Sequence, residues 1–261
     1  MPYFHRTGGH TFAPTEHTTG AWNEAEQHVA PSLGLMTHLV ESDLRRRRGD
    51  DLTLSRLSFD ILGVVPVEEV AVEVRLRRPG RTIELVEAEL THAGRPVVVL
   101  RAWAAAALDT TDLAATDLTP IDPPDTMSRW PGTELWPGGF IASAEIRRGE
   151  VRPGRGAYWV RTDQPLLDGE DVGPLARAAG LLDIANGMVV RADPTDVAFP
   201  NLDLTAHLVR TPRPGWLGFD TTVTFGPAGL GLTSSTIHDE AGPLGTVAQT
   251  LTVRPSRHRS G

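Results

Sequence analysis

The chain has 261 residues, of which 40% are hydrophobic and 22% charged, a formal net charge of −8 and no cysteine. Such a length and balance suit one large or two ordinary soluble domains with a real core, and the acidity argues against general nucleic-acid binding. Lack of cysteine excludes disulfides, thiolate metal sites and cysteine nucleophiles; no apolar run approaches the ~20 residues of a membrane span, and "MPYFHRTGGHTF" lacks the apolar core of a signal peptide, so a cytoplasmic protein is expected.

In chain order, a helix is expected from Asn23 to about Arg47. Leu33, Met36, Leu39, Val40 and Leu44 recur at helical spacing, and Gly49 ends the run. Pro31 suits a first turn better than an interior, so the well-ordered part should begin near Ala30. Three or four strands follow, in "LTLSRLSFDILG", "EEVAVEVRLRR", "TIELVEAELTHAG" and "RPVVVLRAWAAAA". Pro66, Pro79-Gly80 and Ala93-Gly94 mark the turns between them. The Asp-, Thr- and Pro-rich stretch from Leu108 to Gly139 has no period and reads as a linker.

Beyond it, "FIASAEIRRGEV" and "GAYWVRTDQP" read as strands, and "EDVGPLARAAGLLDIANG" as a helix capped by Asp171 and ended by Asn186-Gly187. "LDLTAHLVR", "GWLGFDTTVTF", "LGLTSSTIHDEAG" and "GTVAQTLTVRP" are four more strands. The order of one helix and four strands therefore occurs twice. A shift of about 146 residues lays Pro66 on Pro212, Gly80 on Gly226 and His92 on His238, which reads as a duplicated domain. The expected division is an N-terminal domain over 1–108, a linker over 109–138 and a C-terminal domain over 139–261.

Two second-half residues break the apolar pattern. In "FPNLDLTAHLVR", Asp203 shares a strand face with Thr205 and His207, while the same shift pairs Asp203 with Leu57, whose face continues as Phe59 and Ile61. A solvated polar face is the simpler reading of the strand alone, but the repeat buries that face in its first copy and so favours a polar site; a one-residue slip would exchange the faces. Gln249 shares a face with Val247, Leu251 and Val253, where an unpaired amide costs about 1–3 kcal/mol; its first-half counterpart is Arg101. The basic runs "LRRRRGD" and "RPSRHRSG" read as a helix-end complement and a solvated tail, or as contacts to an anion such as a nucleotide phosphate. No nucleophile elbow, Walker loop, zinc-protease motif or complete dinucleotide fingerprint is present.

With these residues in view, the chain resembles the acyl-CoA thioesterase II family, in its actinobacterial-type form with two hot dog domains. The resemblance covers nearly the whole chain. It rests on "GAWNEAEQHVAPSLGLMTHLVE" and the four strands after it, on "YWVRTDQPLLDGEDVGPLARAAGLLDIANGM", "FPNLDLTAHLVRTPRPGWLGFDTTVTFGPAGLG" and "GPLGTVAQTLTVRP". It implies an α+β double hot dog, two tandem helix-wrapped antiparallel sheets, that hydrolyses acyl-CoA-type thioesters with an activated water. It implies a catalytic Asp203, Thr224 and Gln249, the threonine eight residues after Trp216, with no metal and no cofactor. Relatives usually carry "HGG" at the start of the first helix; His28, Val29 and Ala30 stand there and would meet the thioester carbonyl. The first-half positions Leu57, Arg78 and Arg101 cannot form the same set, so one triad per chain is expected. Duplicated hot dogs commonly pair further, so a homo-oligomer fits. The rivals are a hot dog hydratase acting on enoyl thioesters, for which Asp203 with His207 is the available pair, and a non-catalytic acyl-thioester binding protein. That pair would lie about 13 Å apart along an extended strand.

Overall fold

The computed structural model describes residues 1–256. Its first segments are strands β1 (Phe4–Arg6) and β2 (Thr11–Pro14), a hairpin that brings Phe4 and Phe12 fully into the core. Helix α1 (Val29–Arg48) follows and buries most of its first half. Pro31 sits in its first turn, where no amide is needed, and Gly49 ends it at φ 63°. The first-half strands are β3 (Leu52–Ile61), β4 (Val70–Arg78), β5 (Ile83–His92) and β6 (Arg95–Ala106), close to the expected runs.

The segment after β6 carries β7 (Ser128–Arg129) and leads into a short helix, α2 (Gly139–Ala142). Then come β8 (Ala144–Arg152), β9 (Arg155–Thr162) and helix α3 (Pro174–Ala179). The expected second helix is broken. It starts at a Gly173 cap rather than at Asp171, stops at Gly180, and resumes as a 3-10 turn over Leu182–Asn186. Strands β10 (Val197–Ala198), β11 (Asp203–Leu208), β12 (Leu217–Phe225), β13 (Leu230–Asp239), β14 (Gly242–Thr252) and β15 (Arg254–Pro255) complete the chain.

Thirteen strands form one antiparallel sheet in the order β1-β2-β4-β5-β6-β3-β11-β14-β13-β12-β9-β8-β7. Outward from the β3/β11 seam, β6, β5 and β4 mirror β14, β13 and β12, so the internal repeat is visible in the topology. Helix α1 packs on β3 to β6, whose inward residues alternate with period two and need a cover, while α3 packs on α1 and the 3-10 turn after it meets β12 and β13. The two helical segments touch where glycine removes the side chain: a Cβ on Gly34 would come within 2.9 Å of the Ala176 carbonyl oxygen and of Gly180. The seam register pairs Leu57 with Ala206 and Phe59 with Leu204, all buried, and Ser58 with Thr205, whose hydroxyls lie 2.9 Å apart.

Candidate functional site

At the seam, the start of α1 from the first half meets the 3-10 turn after α3 from the second. Between them lies a cavity of about 450 Å³ lined by His28, Val29, Asp183, Asn201, Trp22 and Trp136, among others. His28 caps α1: its Nδ1 accepts the Ala30 N–H at 3.2 Å, so the proton of the neutral ring belongs on Nε2. Burial holds the imidazole down to about 3, far below its ordinary range, so it stays neutral. Val29 is the first helical residue, and no helical carbonyl reaches an amide at that position. Val29 and Ala30 need no glycine here, since Ala93 is the only non-glycine with positive φ among the described residues. Ala30 is wholly buried and contributes its N–H to the His28 cap rather than to the cavity.

Asp183 is the central group. It stands in "LLDIAN" on the 3-10 turn, only 6% exposed, with leucines before it and Ile184 after it. Its Oδ1 accepts from Asn201 Nδ2 at 2.6 Å and from Gln249 Nε2 at 3.0 Å. Its Oδ2 lies 3.7 Å from His28 Nδ1. Burial pushes this carboxyl up to about 7, although both amide donors favour the charged form. A carboxyl that changes charge near neutrality, beside a cavity, is suited to taking and returning a proton. Behind it, the oxygen of the Gln249 amide and the hydroxyl of Thr233, its partner across the β13/β14 ladder, are both buried and have no hydrogen-bond partner among the described residues.

The structure brings together only part of the expected set. Gln249 is 1% exposed and reaches the centre, as its place on an apolar face predicts. Asp203 does not reach it. Its face carries Thr205 and His207 on the outer side of β11, where its Oδ1 accepts the Thr250 N–H at 2.6 Å, while Leu204 and Ala206 take the buried side. Thr224 is also on the outer side, because Thr221 and Val223 occupy the inward positions of β12. The error is one of parity: the face of β11 that matches Leu57 and Phe59 begins at Leu204, one residue on. His207 is exposed on that same outer face, so the Asp203–His207 pair offered for a hydratase lies outside the cavity. Asp203→Asn and Thr224→Val should therefore leave thioester turnover within a few-fold of wild type, as surface changes usually do; initial rates of thiol release would check this.

Asp183 and Asn201 were missed. A usable signal was present, since a carboxylate flanked by leucine, isoleucine and alanine in a helical run is rarely buried without a purpose. Among the described residues, no group of three histidines, aspartates or glutamates has metal-ligand geometry.

Comparison with known proteins identifies the family and the fold. A family model described as the acyl-CoA thioesterase C-terminal domain matches residues 116–253, and one described as the acyl-CoA thioesterase N-terminal domain matches residues 18–105. The chain belongs to the acyl-CoA thioesterase family. It is a thioester hydrolase with a double hot dog fold. Solved structures share that fold at low identity. An acyl-CoA thioesterase II, TesB2, from Mycobacterium marinum superposes with a TM-score of 0.67 at 16% identity, covering 97% of this thioesterase and 96% of that chain. A tesB protein from Mycobacterium avium subs paratuberculosis gives 0.67 at 17%, covering 97% and 96%. A hot dog protein of unknown function from Alicyclobacillus acidocaldarius gives 0.73 at 15%, covering 95% of each chain. No curated protein sequence matches this thioesterase. No helix among its described residues is long and apolar enough to cross a membrane.

Proposed function

We propose that the protein hydrolyses acyl-CoA-type thioesters to a free acid and CoA by direct attack of a water activated by Asp183. The observation that carries this is the asymmetry of the Asp183 carboxyl. Oδ1 is occupied by two amide donors, while Oδ2 faces His28 in a cavity wall. A water held at Oδ2 passes a proton to it as its oxygen attacks the thioester carbon. Charge then develops on the carbonyl oxygen, where the Val29 N–H in the first turn of a 20-residue helix and the Nε2–H of neutral His28 are the available donors. Collapse of the tetrahedral adduct breaks the C–S bond, and the proton on Asp183 returns to the departing thiolate. No acyl-enzyme is formed and the atoms balance.

His28 supports hydrolysis over hydration. A ring that titrates near 3 and whose Nδ1 already accepts a backbone amide is a poor base for adding water to an enoyl double bond. The test is free CoA release from acyl-CoAs of graded chain length, run beside loss of the enoyl chromophore of a crotonyl thioester. Thiol release without hydration is expected; hydration with the thioester left intact would overturn the reading. The first half contributes His28 and Val29 but no second carboxyl centre. Arg101, paired with Glu87 on the outer surface, should therefore tolerate Arg101→Ala with kcat retained.

A further inference from the structure

Two basic runs stand out in the sequence; of the second, residues 254–256 are described and the rest lies outside the described residues. Arg46 and Arg47 are paired with Asp43, Arg47 also with Glu84, Arg48 donates to the Arg81 carbonyl, and the exposed Arg45 lies 3.9 Å from Asp50, so every arginine of the first run has a partner and none of them lines the cavity. The second begins at Arg254, which lines the mouth of the catalytic cavity and is the one arginine among its described lining residues. Its neighbours at the mouth are Thr252, Leu202, Leu62 and Val64; the three aliphatic side chains are 49%, 59% and 65% exposed. Glu26 also lines the cavity and accepts from Asn23 Nδ2 at 3.0 Å.

We infer that Arg254 receives the phosphate at the end of the pantetheine arm of the substrate, with the aliphatic lip under the arm itself. This rests on the hydrolase reading above. The lengths are compatible. From Gln249, beside the reacting centre, to Arg254 the chain runs five residues through the end of β14 and Val253 into β15, at most about 16 Å at strand rise. An extended pantetheine arm from sulfur to its first phosphate spans on the order of 15 Å by ordinary bond lengths. A guanidinium is the side chain best matched to a phosphate, and the exposed Leu62, Val64 and Leu202 suit the gem-dimethyl group of the arm. The same phosphate occurs in CoA and on an acyl carrier protein.

The test uses the full chain and three thioesters of one acyl group: acyl-CoA, acyl carrier protein and the neutral N-acetylcysteamine ester. Arg254→Glu should raise KM about tenfold for the better of the two phosphorylated substrates, since one accessible charge contact is lost and a like charge added. It should leave kcat within about twofold and the neutral ester unaffected, and it should abolish the salt dependence of KM. Whichever carrier the wild type turns over faster identifies the source of the phosphate. An unchanged KM for that substrate, or an equal rise for the neutral ester, would overturn the site. If the wild type hydrolyses none of the three, the thioesterase reading falls and the site with it, whereas hydrolysis of the neutral ester keeps the two separable.

Discussion

Asp183→Asn should abolish most turnover and make the protein more stable above neutral pH. The rate loss should be about 10²–10⁴-fold, the usual range for a positioned general base. The gain in stability follows from the same cause as the activity. Burial holds the Asp183 carboxyl up to about 7, so between the ordinary carboxyl range and 7 the folded state binds a proton that the unfolded chain has released. Stability contributed by this residue is therefore full at pH 4 and declines as pH rises to about 7, then levels. The cost above 7 is a few kcal/mol, at about 1.4 per pH unit of displacement. Asparagine is nearly isosteric, still accepts from Asn201 and Gln249, and carries no charge to desolvate. Denaturant unfolding of both proteins at pH 5 and pH 8 should show a difference that widens with pH. Glu41 is also pushed up to about 7 by burial, so the comparison between variant and wild type, rather than either curve alone, isolates Asp183. An Asn variant that is active, or one less stable than wild type at pH 8, would remove Asp183 from the centre.

The second large effect is expected at the two amides. Asn201 Nδ2 and Gln249 Nε2 both donate to Oδ1, and hydrogen bonds to a charged group contribute about 1.5–3 kcal/mol each. Gln249→Leu keeps the volume and removes one donor, so the charged carboxylate loses that much support. The carboxyl should then titrate about one to two pH units higher, and activity at pH 7 should fall about ten- to a hundredfold. Much of the loss should return at pH 9, which a packing defect would not allow. Asn201→Leu should behave likewise. The pH dependence of kcat/KM for each variant is the check.

Much of the fold was legible in the sequence because its signals are local. Apolar alternation marked the ten longer strands, and Pro66, Pro79-Gly80 and Ala93-Gly94 placed the turns between four of them. The repeat was legible for the same reason, since turn residues tolerate few replacements. The N-terminal hairpin was not foreseen: Phe4 and Phe12 are buried by distant segments, including Leu167 across a bridge to Phe4. The site was legible in part. Gln249 announced itself as an amide on an apolar face, and His28 and Val29 as the start of a helix. Asp203 misled because a strand changes face at every residue, and the repeat aligned β3 and β11 one residue out of phase. Asp183 was hidden because the run around it looked like one continuous helix, whereas Gly180 breaks that helix and turns the carboxyl toward the seam. Sequence periodicity carries no information about which groups from distant segments converge, and the centre here is built from four of them.

The most direct measurement is kcat/KM for a single short acyl thioester from pH 5 to pH 9, with folding confirmed at each pH. If Asp183 must be ionised to take a proton from water, the rate should rise with pH, reach half its maximum near 7 and then level, with the midpoint moved upward in Gln249→Leu. A rate that is flat across this range, or that falls as pH rises, would contradict Asp183 as the base.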